Sequence, residues 1–579
     1  MAIAVAWAIV AAFGHVTVVN FRQHVLHAFT GTTPLFELTA PIAYVGVFLA
    51  LAVPIALIFR FVRLPNGYCA VHGVFAGLAA FSILLLYRRI HPLAFVVLAA
   101  GMGWQVSRWC TLRPEVLQRL TRRAGPVMAL LLVLNGGLPH IFSWWQERSA
   151  LGATRTAPED APNVLLLILD TVRAANLSLY GYQRPTSAAI DSLAASGIVY
   201  DNAFTPSSWS LPSHASLLTG VWGHETGASY LRRANDDLPR VSTVLRQHGY
   251  LTGAFMGNAG WAGPETGLAA GFHRYVTYPD DLDQIVWNTT LTQTPLARGI
   301  IGGIVTRDPM RMVRSIARFD LRAQTPITPD RMRAPAVTSS FLAWRDLVGT
   351  KHPWFATLNI FDAHEPYATP YSDRFNAGAT NVDKYDGSIA WIDSVVGALF
   401  TELRSRGDLD RTLVIVTSDH GELFGEHGEF KHGSGLYLPI VHVPLVLRYP
   451  NRIKAGVRVP GLATTADIPA TIIDAAGISD SAIPGRSLMS RSFTDDGDPY
   501  VLFMSSRMIN QPATRRASHG EVYGVLNSEW HLMRFAGDEE ELYRWRDDSA
   551  ETINYVDSVS GRAVLPGLQR LLDGRRRVR

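Results

Sequence analysis

Cysteine is nearly absent from this chain: two among 579 residues, Cys69 and Cys110. A disulfide framework beyond residue 110 is therefore excluded, and so is a thiol nucleophile or thiolate metal site there. Charge is also scarce, at 18% of residues, with a mean hydropathy of +0.10 that is unusual for a soluble enzyme. The N-terminus lacks the basic stretch of a cleaved leader, and further apolar segments follow it, so cleavage is not expected. The net charge of +4 is spread along the chain, which argues against a nucleic-acid surface. The basic run Arg575-Arg576-Arg577-Val578-Arg579 reads as a solvated tail. No internal repeat or low-complexity segment is evident.

What the chain has in excess is hydrophobicity, concentrated in the first 146 residues. Apolar segments at about 1–19, 38–60, 69–87, 92–107 and 126–145 each approach the roughly 20 residues that cross a bilayer, the fourth being short. Five spans are expected, or four if that segment stays out. Arg108, Arg113, Arg119, Arg122 and Arg123 lie between the last two, and Arg60 and Arg63 follow the second, whereas the alternate loops carry only Arg22 and then Arg88 and Arg89. The positive-inside tendency puts the five-Arg loop in the cytoplasm and everything after residue 146 outside. The reading is a multi-pass protein of a bacterial inner membrane, with membrane lipids as partners.

A chain this long exceeds one domain. Residues 147–161 read as a linker. Beyond it, apolar strand runs at 163–169, 354–360, 412–418 and 441–448 alternate with helical stretches at 187–197, 241–248 and 386–405. This alternation predicts an α/β domain whose mostly parallel sheet is covered on both faces. The expected order is a transmembrane domain over 1–146, the linker, a catalytic domain over 162–490 and a C-terminal subdomain over 491–579.

The strand run Thr412–Thr417 delivers Asp419 and His420, and the run Asn163–Leu169 delivers Asp170. Strand ends of open α/β sheets are where ligand crevices form. Two acids at such ends close on one divalent cation if the strands are neighbours. Between them, Ser207-Ser208-Trp209-Ser210-Leu211-Pro212-Ser213-His214 through Thr219-Gly220 reads as a short helix with Ser210 at its N-terminus, where unpaired N–H groups favour an alkoxide or oxyanion. Glu422, Glu426 and His427 are read as supports of a Gly-rich turn, Tyr385, Asp386 and Asp393 as packing or capping groups, and Asn258 and Trp261 as a border of the crevice.

Asp170-Thr171-Val172-Arg173, the Ser210 to Gly220 segment, Phe361-Asp362-Ala363-His364-Glu365-Pro366-Tyr367, the block from Asp419-His420-Gly421-Glu422 to Lys431-His432-Gly433, and Glu541 to Asn554 together resemble the sulfatase branch of the alkaline phosphatase superfamily. The likeness covers roughly residues 160 to 560 in family order. It implies an alkaline-phosphatase-like sheet domain with a small α+β C-terminal subdomain. It also implies one divalent metal (Mn, Zn, Mg or Ca) held by Asp170, Ser210, Asp419 and His420. By the same likeness Ser210 is the nucleophile, His364, Lys431 and His432 contact the transferred group or protonate the leaving oxygen, and Arg173 and His214 bind substrate. Three departures stand out. No cysteine is available for conversion to formylglycine, so that group is not expected; Thr171 stands where a second acid is usual; and His214 stands where the modifying machinery expects Arg. The expected activity is hydrolysis of sulfate or phosphate esters. The alternatives are transfer of a phosphate-linked head group to a lipid or glycan, or a catalytically silent membrane binding module.

Overall fold

The computed structural model describes all residues except 29, 31, 33–34, 62–65, 88–90, 154–156, 278–281, 306, 319–330, 451, 480, 490–499, 510–514 and 577–579. Arg63, Arg88, Arg89, the expected boundary at 490 and the end of the basic tail fall outside the described residues. The chain divides into two compact units, Met1–Trp145 with Pro279–Pro329, and Gln146–Tyr278 with Asp330–Arg579. It therefore passes between units at residues 145/146, 278/279 and 329/330. Residues 279–329, which the sequence reading keeps in the catalytic stretch, cluster instead with the N-terminal helices.

In the first unit, helices α1 (Ala2–His24), α2 (Phe36–Phe61), α3 (Gly67–Leu84), α4 (Pro92–Leu112) and α5 (Pro114–Gly152) match the five apolar segments. Among the described residues, four of them, α1, α2, α3 and α5, are long and apolar enough to cross a membrane. α4 carries Gln105, Ser107 and Arg108 and is not one of the four. The expected five-Arg loop is reduced to Arg113, because Arg119, Arg122 and Arg123 already lie in the first turns of α5. With 39 residues, α5 is about 58 Å long, well beyond the roughly 30 Å hydrocarbon core. Its end occupies residues expected to begin the linker. α3 and α4 pack on glycine: a Cβ at Gly73 would lie 2.7 Å from the Gly103 carbonyl oxygen. Cys69 and Cys110 form a disulfide at one end of this helix pair.

The second unit is built on an eight-stranded sheet. Its strands are β1 (Asn163–Leu169), β2 (Ile198–Phe204), β3 (Leu251–Met256), β4 (Arg274–Val276), β5 (Trp354–Ile360), β6 (Thr412–Thr417), β9 (Leu445–Arg448) and β10 (Val457–Thr464); β7 (Leu423–Phe424) and β8 (Phe430–Lys431) form a separate ribbon. The order is β10-β2-β9-β6-β1-β5-β3-β4, parallel except for β9, which runs antiparallel to both β2 and β6. The expected strand at 441–448 is shorter, since Leu438–Val441 is a helical turn. Helices cover both faces, and every residue of β1, β5 and β6 is buried. Each fully buried Leu or Ile of β1 contributes about 1.5–3 kcal/mol by leaving water. This continuous burial is why these strands read as unbroken apolar runs.

A second, antiparallel sheet of β11 (Val501–Ser505), β12 (Val522–Leu526), β13 (His531–Arg534) and β14 (Glu540–Tyr543) forms the C-terminal subdomain. Leu568 and Leu572 of the helix Val559–Arg576 pack with Trp530 and Leu532 beside it.

Candidate active site

β1 lies between β5 and β6, with Ile168 in register with Thr417 and with Asn359. Neighbouring strands thus release Asp170 and Asp419 at the same edge, both completely buried. Backbone N–H groups of Thr171 (3.2 Å) and His420 (2.9 Å) donate to Asp419 Oδ1. The side-chain amides of Asn258 (3.1 Å) and Asn359 (3.0 Å) donate to Asp170 Oδ2. The remaining oxygens, Asp170 Oδ1 and Asp419 Oδ2, are buried and accept no hydrogen bond. Burial, and for Asp170 the facing Asp419, pushes both carboxyls up to about 7. A pair of unsatisfied buried carboxylate oxygens is costly unless a cation balances it. Asp170, Asp419 and His214 offer ligand atoms all within 4.8 Å of one another, so these residues fit a divalent metal.

Ser210 opens the helix Ser210–Thr219 as its first residue, with Trp209 at the N-cap position rather than Ser210 itself. Gly220 takes the left-handed conformation (φ +77°) that closes this helix. Ser210 Oγ lies 3.1 Å from His420 Nε2 and accepts from Asn258 Nδ2, also at 3.1 Å. His420 Nδ1 sits 2.9 Å from the Gly421 carbonyl, which fixes the proton there and turns Nε2 toward Ser210 and Asp419. Burial, with His432 nearby, lowers the His420 pKa to about 3 and keeps the ring neutral. The four expected ligands, Asp170, Ser210, Asp419 and His420, therefore converge.

His214 is fully buried behind Ser210. Its Nδ1 donates to the Ser210 carbonyl (2.9 Å), and its Nε2 accepts from Asn359 Nδ2 (3.1 Å). Both ring nitrogens hold protein partners inside the acidic cluster, away from a substrate opening, and only the proximity of its ring to Asp170 and Asp419 makes it a metal candidate.

His432 and His364 follow on from His420, which touches the nucleophile. The His432 ring lies 4.4 Å from that of His420 and 5.1 Å from that of His364. His432 Nδ1 is 3.0 Å from Glu422 Oε1, and Tyr367 donates to Glu422 Oε2 at 3.2 Å. Burial pushes Glu422 up to about 7 and lowers His432 to about 4, the latter helped by Lys431. His364 is lowered to about 3 by burial and by His432.

Two expected contacts hold protein partners at the edge of this cluster. Lys431 is exposed, at a positive φ of 69°, and pairs with Glu365 at 2.7 Å. Arg173 is committed to Glu426 (2.7 Å), the Glu422 carbonyl and Asn176, with its guanidinium over Phe424.

Three residues matter more than the sequence reading indicated. Asn359 and Asn258 tie Asp170 to His214 and Ser210; an amide inside the apolar run Trp354–Ile360 was the available signal for the first. Tyr385 donates to the Thr171 carbonyl (2.7 Å) and accepts from Arg173 N (3.0 Å). It thereby holds Thr171 at φ +61°, an uncommon conformation for a β-branched residue, and strain of this kind collects at functional sites.

Comparison with known proteins gives the family and the fold. The Sulfatase family model matches residues 162–478, and the N-sulphoglucosamine sulphohydrolase C-terminal model matches 425–577. Human arylsulfatase A is 29% identical over 338 residues, 55% of this chain and 64% of that protein, so the chain spans just under two thirds of that relative. An N-acetylglucosamine-6-O-sulfatase of Bacteroides thetaiotaomicron is 22% identical over 485 residues, covering 71% and 86%. The crystal structure of a phosphonate monoester hydrolase of Agrobacterium radiobacter shares the fold, with a TM-score of 0.52 at 20% identity over 72% of this chain and 95% of that one.

Proposed function

The chain belongs to the sulfatase family of the alkaline phosphatase superfamily, and from that premise we propose that it is a membrane-anchored, metal-dependent hydrolase of sulfate or phosphate esters whose nucleophile is the unmodified hydroxyl of Ser210. One observation carries the reading: Asp170 Oδ1 and Asp419 Oδ2, buried and without hydrogen bonds, belong to carboxylates grouped around the Ser210 hydroxyl. A bound divalent cation supplies charge that favours a deprotonated hydroxyl and neutralises the ester's oxyanion.

The chain's own groups do the rest. Asn258 orients Oγ, and the helix N-terminus favours negative charge on it. As Oγ forms a bond to sulfur or phosphorus, the bond to the ester oxygen breaks. The departing alkoxide takes the proton from His432 Nε2 while Nδ1 takes one from the Glu422 carboxyl beside it, which burial raises to about 7, and His364 stands next to this pair. Water then cleaves the Ser210 ester, releasing the inorganic oxyanion. Sulfated glycans are the substrate class suggested by the relative that acts on N-acetylglucosamine-6-O-sulfate.

The four apolar helices and the Arg pattern support anchoring in a bacterial inner membrane with the catalytic unit outside. The deciding experiment measures the metal content of the purified full chain and assays sulfate monoesters, phosphate monoesters and phosphate diesters side by side. Turnover of none of them by metal-loaded protein would remove the hydrolase reading.

A further inference from the structure

Within the first unit, the segment between Leu282 and Arg318 begins with polar residues buried among apolar helices. Thr290 Oγ1 donates to the Ser82 carbonyl (2.7 Å) and lies 3.0 Å from the Tyr44 hydroxyl, while Asn288 Nδ2 donates to Thr39 Oγ1 (2.7 Å). These bonds satisfy the polar groups where no water reaches and pin the segment to α2 and α3. Two helices follow at once, Pro295–Val305 and Pro309–Arg318. Leu296 of the first lines a groove with Gly77, Ala99, Gly103 and Trp104 of α3 and α4. The two helices approach each other through glycine, since a Cβ at Gly299 or Gly303 would collide with the side chains of Ser315 or Met312.

That packing uses one face of the second helix and leaves two flanks. On one, Met310, Val313 and Ile316, three residues apart, are 58%, 56% and 54% exposed, and Ile304 of the preceding helix is 62% exposed. On the other lies exposed Arg314, and exposed Arg307 stands in the connecting turn. A ten-residue helix is marginal in water by itself, and one that turns three large apolar side chains outward is poorly suited to it. An apolar flank beside a basic one fits a bilayer surface, where the first meets acyl chains and the second meets anionic head groups.

We propose that Pro295–Arg318 is an interfacial hairpin: it lies in the plane of the membrane, inserting Ile304, Met310, Val313 and Ile316 at the acyl boundary and presenting Arg307 and Arg314 to anionic lipid. It supplies a second, non-spanning attachment from within the chain that encodes the catalytic unit. The proposal rests on reading the apolar helices as membrane spans, and the test separates the two.

The photoreactive residue p-benzoylphenylalanine is placed at Val313, at Met310, or at Leu57 of α2, in the full chain reconstituted into phosphatidylcholine vesicles with and without phosphatidylglycerol. Lipid adducts read by mass spectrometry are expected at all three sites. Adducts at Leu57 but at neither Val313 nor Met310, or cross-links there to a second copy of the chain, overturn the hairpin while leaving the spans intact. Absence at Leu57 as well refutes the spans and the hairpin together. Arg307→Gln combined with Arg314→Gln should cut the gain in adduct yield caused by phosphatidylglycerol by at least about threefold. An unchanged gain overturns the assigned role of the two arginines.

Discussion

Glu422 Oε1 lies 3.0 Å from His432 Nδ1, so a buried acid sets which nitrogen of that imidazole is left without this partner. With Nδ1 tied to the carboxyl, Nε2 carries the contact to substrate. Glu422→Gln preserves the shape but alters the proton on the shared bond. It should lower kcat by about 10- to 100-fold with little change in KM. Steady-state kinetics together with a melting curve check this; an unchanged kcat, or a loss explained by unfolding, would reject the positioning role.

Removing either central acid should separate metal binding from folding. Asp170→Asn and Asp419→Asn should each lose bound metal and about 10³-fold or more of turnover. Each variant should nonetheless melt no lower than the chelated parent, because a buried, unbalanced carboxyl has been replaced by a neutral amide. Elemental analysis and calorimetry after chelation give the answer. A variant with full metal content and activity would refute the shell.

The peptide containing Ser210 should have the mass of unmodified serine in active enzyme, and Ser210→Ala should be inactive while still binding metal. The grounds are the lack of cysteine after residue 110 and the engagement of His214 with the Ser210 carbonyl and Asn359. An aldehyde at this position, with sulfate esters preferred, would overturn the claim.

A reporter fused after residue 150 should behave as extracytoplasmic. The same orientation puts Arg108, Arg113 and the neighbouring Cys69–Cys110 pair on the cytoplasmic side. Because the cytoplasm keeps thiols reduced, the pair should be alkylated by a permeant thiol reagent in cells and close only on oxidation after extraction. A cytoplasmic reporter signal would reverse the whole arrangement.

Acid should weaken the second unit partly through His273. Burial, with Arg246 nearby, lowers its pKa to about 4, and its Nδ1 lies 3.2 Å from Thr252 N, which donates to it. The folded value lies below the unfolded one of about 6.5, so the unfolded chain takes up the proton first as pH falls. The group's contribution is complete above about pH 6.5 and is lost progressively down to about pH 4, amounting to roughly 3 kcal/mol. His273→Asn should flatten the stability profile in that window, and denaturant titrations at several pH values measure it. A parallel decline in parent and variant would exclude the assignment.

The strands Asn163–Leu169, Trp354–Ile360 and Thr412–Thr417 were legible because burial on both faces leaves continuous apolar runs, and so was the meeting of Asp170 and Asp419 just past two of them. The antiparallel direction of β9 was not, since direction leaves no mark on a four-residue apolar run. Asn359 was hidden because one amide in such a run has no local partner; its role depends on Asp170 and His214, far away in sequence. Lys431 illustrates the converse. Its motif placed it at the site, but a left-handed backbone turns it outward to Glu365, and His432 takes the inward position. The departure of residues 279–329 into the first unit had no short-range signature, because the buried Asn288, Thr289 and Thr290 look in sequence like an ordinary polar loop.

The three passages of the chain between units have a consequence for shedding. A protease that nicks only near residue 150 leaves the second unit attached through the connections at 278/279 and 329/330. Release of the second unit from the first demands three cuts, and a recombinant fragment that merely begins after α5 carries the 279–329 segment without the helices that cover its polar and apolar groups. A membrane-free version of the second unit has to lose that internal segment as well as the N-terminal helices, with Thr277 and Arg331 rejoined by a short bridge.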